Sequence, residues 1–229
     1  MFIGHFAVAL AAKRAAPRAS LGTLTLAALF LDALWPLFLL LGIERAEIAP
    51  GPNSFLLLNF SYYPISHSLL MAIVWSALFK VLYYARTKYL RGAIWVGLLV
   101  LSHWILDFIA HVPDLPLWPG GPKVGLGLWN YPAATIVVES AMFLAGVWIY
   151  LGTTRPRNII GKAAFWAYVI VVVGLYAADA TSQAPPSIAI VAYIGIIAWI
   201  FIPWTYWIDY NREVRTGDAL GRVSGAPMR

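Results

Sequence analysis

Residues 92–112 read GAIWVGLLVLSHWILDFIAHV. The run matches the roughly 20 apolar residues that carry a helix across a bilayer core, yet it holds His103, Asp107 and His111 at intervals of four. At 100° per residue these three side chains fall within about an 80° arc of one helix face. Ionisable groups at such depth turn toward other helices or a cavity, so the segment predicts a polytopic bundle and not a lone anchor.

The rest of the chain agrees with that reading. Of its 229 residues 61% are hydrophobic and 11% charged, against roughly 25% charged in an ordinary soluble domain, which excludes a water-soluble globule. With 11 Trp, 12 Tyr and 11 Phe there is too much apolar surface and too little charge for disorder. Six segments reach spanning length, roughly 20–42, 66–85, 92–112, 133–153, 160–179 and 187–208. An apolar run over 2–12 covers only ~16 Å at 1.5 Å per residue, enough to dip into the bilayer but not to cross it. The expected fold is all-α, a bundle of six transmembrane helices plus a short N-terminal half-helix. It forms one domain over 1–210, and a basic, flexible cytoplasmic tail follows over 211–229.

The net charge of +6 does not point to nucleic acid, because the basic residues stand in short clusters between apolar runs. Lys13, Arg14 and Arg18, then Lys80, Arg86, Lys88 and Arg91, then Arg155, Arg157 and Lys162, then Arg212, Arg215, Arg222 and Arg229 share one side if six spans alternate. Arg45 and Lys123 take the other. Lys and Arg of short loops stay cytoplasmic, so this bias predicts a multi-pass membrane protein with its C-terminus in the cytoplasm. The connections 43–65 and 113–132 then face outward. Their Trp118, Trp129 and Tyr131 suit either interfacial anchoring or a lid over a pocket.

An ionisable group inside a span costs at least ~2.5 kcal/mol on insertion scales, so each one marks a functional-site hypothesis. The set is short: His5, Asp32, His67, His103, Asp107, His111 and Glu139. Counted from the outer ends of the spans, His67 and His111 lie about 3 Å deep, Asp107 about 8 Å, Glu139 about 10 Å, and His103 and Asp32 about 14–15 Å. There is no cysteine, so any metal must be held by nitrogen and oxygen. His103 and His111, about 12 Å apart along one helix, cannot share an ion. The spacing therefore suggests a deeper level of His5, Asp32, His103 and Asp107 and an outer one of His67, His111 and Asp107. Asp32, four residues before Pro36, can also be read as satisfying backbone groups freed at a kink, and His67 between Ser66 and Ser68 as a polar cap. Glu139 is a candidate general base or a hydrogen-bond partner for a ligand imidazole.

At these residues the chain resembles the bacterial and archaeal membrane-bound metal-dependent hydrolase family. The resemblance covers roughly residues 1–153. It rests on Gly4-His5, Asp32, Ser66-His67-Ser68-Leu69, the helix with His103, Asp107 and His111, and the Pro-Gly-Gly and Gly-Leu-Gly-Leu-Trp loop at 119–129. It implies an inner-membrane protein, a metal on His5, Asp32, His67, His103, Asp107 and His111, and hydrolysis. On the residue reading the divalent ion is Zn²⁺ foremost, and Glu139 and Asp107 are the candidate catalytic carboxylates. One departure is Tyr62-Tyr63-Pro64-Ile65-Ser66, where many members carry an Arg and a Thr; a phosphate-bearing substrate loses a cationic clamp there.

A site in the outer half of the bilayer favours a lipid or lipid-linked ester or phosphoester arriving sideways. The alternatives are a proton- or cation-coupled transporter, for which the inner half supplies few polar groups, and a non-catalytic subunit of a larger membrane complex. Haem suits the mixture of imidazole and carboxylate poorly.

Overall fold

The structure, a computed structural model, describes residues 1–215. In chain order it begins with α1 (Phe2–Ala15), α2 (Leu21–Ala28) and α3 (Phe30–Leu40), then β1 (Arg45–Ile48), β2 (Leu58–Tyr62) and a single turn of helix, α4 (Pro64–His67). Two long helices follow, α5 (Leu69–Thr87) and α6 (Leu90–Ala110), and after them the short strands β3 (Leu115–Pro116) and β4 (Lys123–Val124). The remainder is α7 (Pro132–Thr153), β5 (Thr154–Pro156), α8 (Ile159–Ala180), α9 (Ile188–Ile197), α10 (Phe201–Tyr210) and β6 (Arg212–Val214).

Among the described residues five helical segments are long and apolar enough to cross a membrane: α5, α6, α7, α8 and the continuous run of α9 and α10. A sixth crossing is possible if α2 and α3, bent by 55° at Leu29, are one broken span. Pro36 was the sequence's candidate for a kink, but it lies inside α3 and the bend falls seven residues earlier. In the last span Pro203 has no N–H to offer Trp199, and the preceding turn, Ala198–Ile200, tightens to a 3₁₀ form.

Local chemistry sets the other boundaries. Pro64 starts α4 with its φ already fixed and no N–H to leave unpaired. Ser68 then turns extended, and its Oγ accepts the Met71 N–H at 3.3 Å as the N-cap of α5. The expected span from 66 is thus two helices, with His67 at the break between them. Asn158 caps α8 in the same way through the Gly161 N–H at 2.8 Å.

The half-helix is the centre of the molecule. α1 has 14 residues, about 21 Å, and apolar side chains all round it. Ile3, Phe6 and Leu10 pack with Phe143, Phe165, Tyr168 and Phe201 of α7, α8 and α10. Ala9 and Ala12 pack on the other side with Leu24, Leu31, Val96 and Val100 of α2, α3 and α6. A helix apolar all round is one that is covered all round. Contact with α7 is close at Gly146, where an added Cβ would stand 2.5 Å from the Ala7 carbonyl oxygen. The other end of α1 is tied down by Lys13, which is buried; its Nζ lies 2.7 Å from Asp209 Oδ1 and donates to the Ala19 carbonyl at 2.8 Å.

The long connections are folded hairpins. β1 and β2 pair antiparallel, with Glu47 opposite Asn59 and a bulge before it; β3 and β4 pair Leu115 with Val124. Lys123 joins the two hairpins by donating to the carbonyls of Phe60 and Ser61 at 2.9 and 3.1 Å. The tail expected to be flexible from residue 211 is ordered at its start. Arg212–Val214 pairs with β5, and the Arg212 guanidinium is buried over the Tyr150 and Phe165 rings at 5.3 and 5.0 Å. A cation stacked on aromatic faces and bonded to Thr154 and the Gly161 carbonyl is fixed in place, which is why the strand does not hang free. The remainder of that expectation, 216–229, lies outside the described residues.

Candidate metal centre

α6 is the most buried of the spans, and its polar stripe meets side chains from three other elements. His5 comes from the first turn of α1, Asp32 from α3 just past the bend, and His67 from the break after α4. His103, Asp107, His67 and His5 are buried, whereas the Asp32 side chain is 51% exposed.

Four donor atoms face one another. His67 Nε2 is 3.5 Å from Asp32 Oδ1 and 3.8 Å from Asp107 Oδ2. His103 Nε2 is 3.5 Å from the same Asp32 oxygen and 3.2 Å from the same Asp107 oxygen. Ligands held at 2.0–2.1 Å around a tetrahedral ion are separated by about 3.3–3.4 Å, which falls within the spread of these four edges.

The protonation pattern fits the same arrangement. The His103 Nδ1–H donates to the Ala28 carbonyl at 2.7 Å, one of the last carbonyls of α2. In the neutral ring His103 Nε2 then carries the lone pair, and it is buried with no hydrogen-bond partner. The Ser66 Oγ–H donates to Glu44 Oε2 at 2.5 Å, so that hydroxyl can only accept from His67 Nδ1, 2.7 Å away. His67 Nε2 is bare as well. With both rings neutral, two imidazole lone pairs confront two carboxylate oxygens, an array of acceptors that a cation would satisfy.

His5 stands one step back. Its ring is stacked on His103, centroids 3.7 Å apart and planes 2° from parallel, and its Nε2 is 3.0 Å from Asp107 Oδ1, the oxygen turned away from His67. The amino group of Met1 meets that same oxygen at 2.5 Å. His5, His103 and Asp107 also form a compact triad of possible ligand atoms, overlapping the triad of Asp32, His67 and His103. The two-level division suggested by spacing is revised accordingly. His67 joins the deeper set, its Nε2 facing Asp32 and Asp107, because the extended backbone at Ser68 separates α4 from α5.

His111 is not brought to that set. It follows the last residue of α6 with extended backbone, and its Nδ1–H donates to Asp114 Oδ1 at 2.9 Å. The Tyr63 hydroxyl donates to the same oxygen at 3.2 Å, and the Trp129 ring covers the imidazole at 4.1 Å. Burial, and then the Asp114 carboxylate, push the Tyr63 phenol well above its ordinary range, so it remains a donor. Trp118 and Tyr131, by contrast, are exposed.

Glu139, from α7, is buried with Oε2 accepting the Gly4 N–H at 3.3 Å and Oε1 without a partner. Met1 offers α1 no side-chain cap, so Glu139 supplies from a neighbouring helix the carboxylate that the first turn lacks. Residue types and spacing did not single out Glu44, Asp114 or the Ala28 carbonyl; the signal for Asp114 was its place three residues after His111.

Comparison with known protein families, curated proteins and solved structures finds no match to this chain.

Proposed function

We propose that this chain is an integral membrane metal-dependent hydrolase acting on a lipid or lipid-linked ester or phosphoester from the outer half of the bilayer. The observation that carries this reading is the set of four donor atoms, Asp32 Oδ1, His67 Nε2, His103 Nε2 and Asp107 Oδ2, with edges of 3.2–3.8 Å and both ring nitrogens bare. A divalent cation held there would supply Lewis acidity and a water activated near neutral pH. His5 holds Asp107 Oδ1 and so aims Oδ2 at His67 and His103. Glu139, whose Oε1 is unpartnered, is the candidate for moving a proton.

Two features support a lipid-borne substrate. Asp32 is the half-exposed member of the set, and a small recess of about 70 Å³ beside it is walled by Phe2, Phe6, Leu29, Trp199 and Ile202. That recess lies between α1, the α2–α3 bend and the middle of the last span, which favours approach from the side over approach along an aqueous channel.

The test is turnover by purified protein in lipid nanodiscs, with Zn²⁺ or Mn²⁺ added and a panel of glycerophospholipid and long-chain ester substrates, products being read by mass spectrometry. Metal-dependent product that disappears with chelator and in His67→Ala is expected. No product from the metal-loaded wild type, or product indifferent to chelator, would overturn the proposal.

A further inference from the structure

Glu44 lies in the connection before β1, outside every span, yet it is 1% exposed and its side-chain hydrogen bonds go to the segment carrying His67. One oxygen accepts the backbone N–H groups of Ile65 and Ser66, each at 2.8 Å; the other accepts the Ser66 hydroxyl. Ser66 is fully buried and reaches His67 Nδ1 in turn. We propose that Glu44 is a positioning residue for the metal centre, acting through Ser66 to hold His67 in the tautomer whose Nε2 faces Asp32 and Asp107. The inference rests on the metal-binding reading above and adds to it the group that selects the ligand's protonation form.

The direction of the relay follows from what each group can donate. A carboxylate has no proton to give, so the Ser66 hydroxyl must point at Glu44 and leave only a lone pair for His67. The imidazole proton then resides on Nδ1. An amide in place of the carboxylate reverses this chain of donors. In Glu44→Gln the amide oxygen can keep both backbone bonds, while the NH₂ group donates to Ser66 Oγ. The hydroxyl then turns and donates to His67 Nδ1, sending the ring proton to Nε2, where it blocks coordination.

Two readouts on the full-length protein test this. Nitrogen-15 NMR of histidine-labelled, metal-free protein should show His67 protonated on Nδ1 in the wild type and on Nε2 in Glu44→Gln. Titration with Co²⁺, followed by its visible absorption, should show affinity falling about 10–100-fold in Glu44→Gln and in Ser66→Ala, as for other groups that orient a ligand. Ser66→Thr keeps the hydroxyl and should restore wild-type affinity. Ser66→Ala leaves the backbone bonds of Glu44 in place, so it carries the test if Glu44→Gln does not fold. An unchanged His67 tautomer in Glu44→Gln, or unchanged cobalt affinity in both variants, would overturn the relay. If the wild type bound no cobalt, the proposed function would fail, and the tautomers would still decide on Glu44.

Discussion

Asp107 divides its oxygens between two tasks. Oδ1 takes the Met1 amino group and His5 at 2.5 and 3.0 Å, while Oδ2 faces His103 and His67 at 3.2 and 3.8 Å. That division separates groups that would touch an ion from groups that would hold its ligands. It also bears on two histidines that spacing placed at different depths of one helix face. His103 and His111 are each four residues from Asp107, but His111 is committed to Asp114 at the end of the helix. Replacement of His67 or His103 by Ala is accordingly expected to abolish stoichiometric metal in purified protein, and His111→Ala to retain it. Equal metal loss in all three, measured by elemental analysis, would contradict this assignment. The imidazoles and acids were legible because an ionisable group in an apolar run stands out by its cost. Glu44 was not, because a carboxylate in a polar connection costs nothing until the chain folds it inward.

The placement of α1 governs where His5 stands. Its 14 residues are too few to span, a limit readable from length alone. Its position between two layers of core is not readable from length, since that depends on Gly146 letting the Ala7 backbone come close. A side chain at Gly146 has no free space, and overpacking of this kind costs about 1–3 kcal/mol. Gly146→Val should therefore lower the thermal unfolding temperature in detergent and weaken metal binding together, by pushing α1 and His5 away from α6. An unchanged melting temperature would show that α1 and α7 are not in such contact. The bend at Leu29 was equally hidden, because no Gly or Pro marks it; its reason lies in the tertiary bond that the Ala28 carbonyl makes with His103. At α4, Pro64 sets the start and Ser68 caps the helix that follows, but the 66–85 run is long and apolar enough to pass for one helix.

For the molecule as a whole, the number and length of apolar segments were visible in the sequence, and five of the six expected spans are unbroken enough to be assigned as candidates. Sidedness depends on whether α2 and α3 together cross. The chain contains no cysteine, so single cysteines at Arg18, Arg45, Lys123 and Arg157 can be probed with an impermeant thiol reagent without background. Crossing by the bent pair places 45 and 123 on one side and 18 and 157 on the other; a re-entrant pair places 18 and 45 together. The loop end, where β1–β2 and β3–β4 are joined through Lys123, brings Glu44 and Asp114 over the bundle. The connections thereby contribute to the site as well as joining spans.

The centre itself is open to direct measurement by X-ray absorption at the zinc edge of the Zn²⁺-loaded protein. The account predicts one tightly held ion with two imidazole nitrogens and two carboxylate oxygens at about 2.0–2.1 Å, and no stoichiometric zinc left to absorb in His67→Ala. A wild-type protein that retains no zinc after dialysis, a zinc shell without imidazole, or a His67→Ala protein that holds zinc as the wild type does would contradict it.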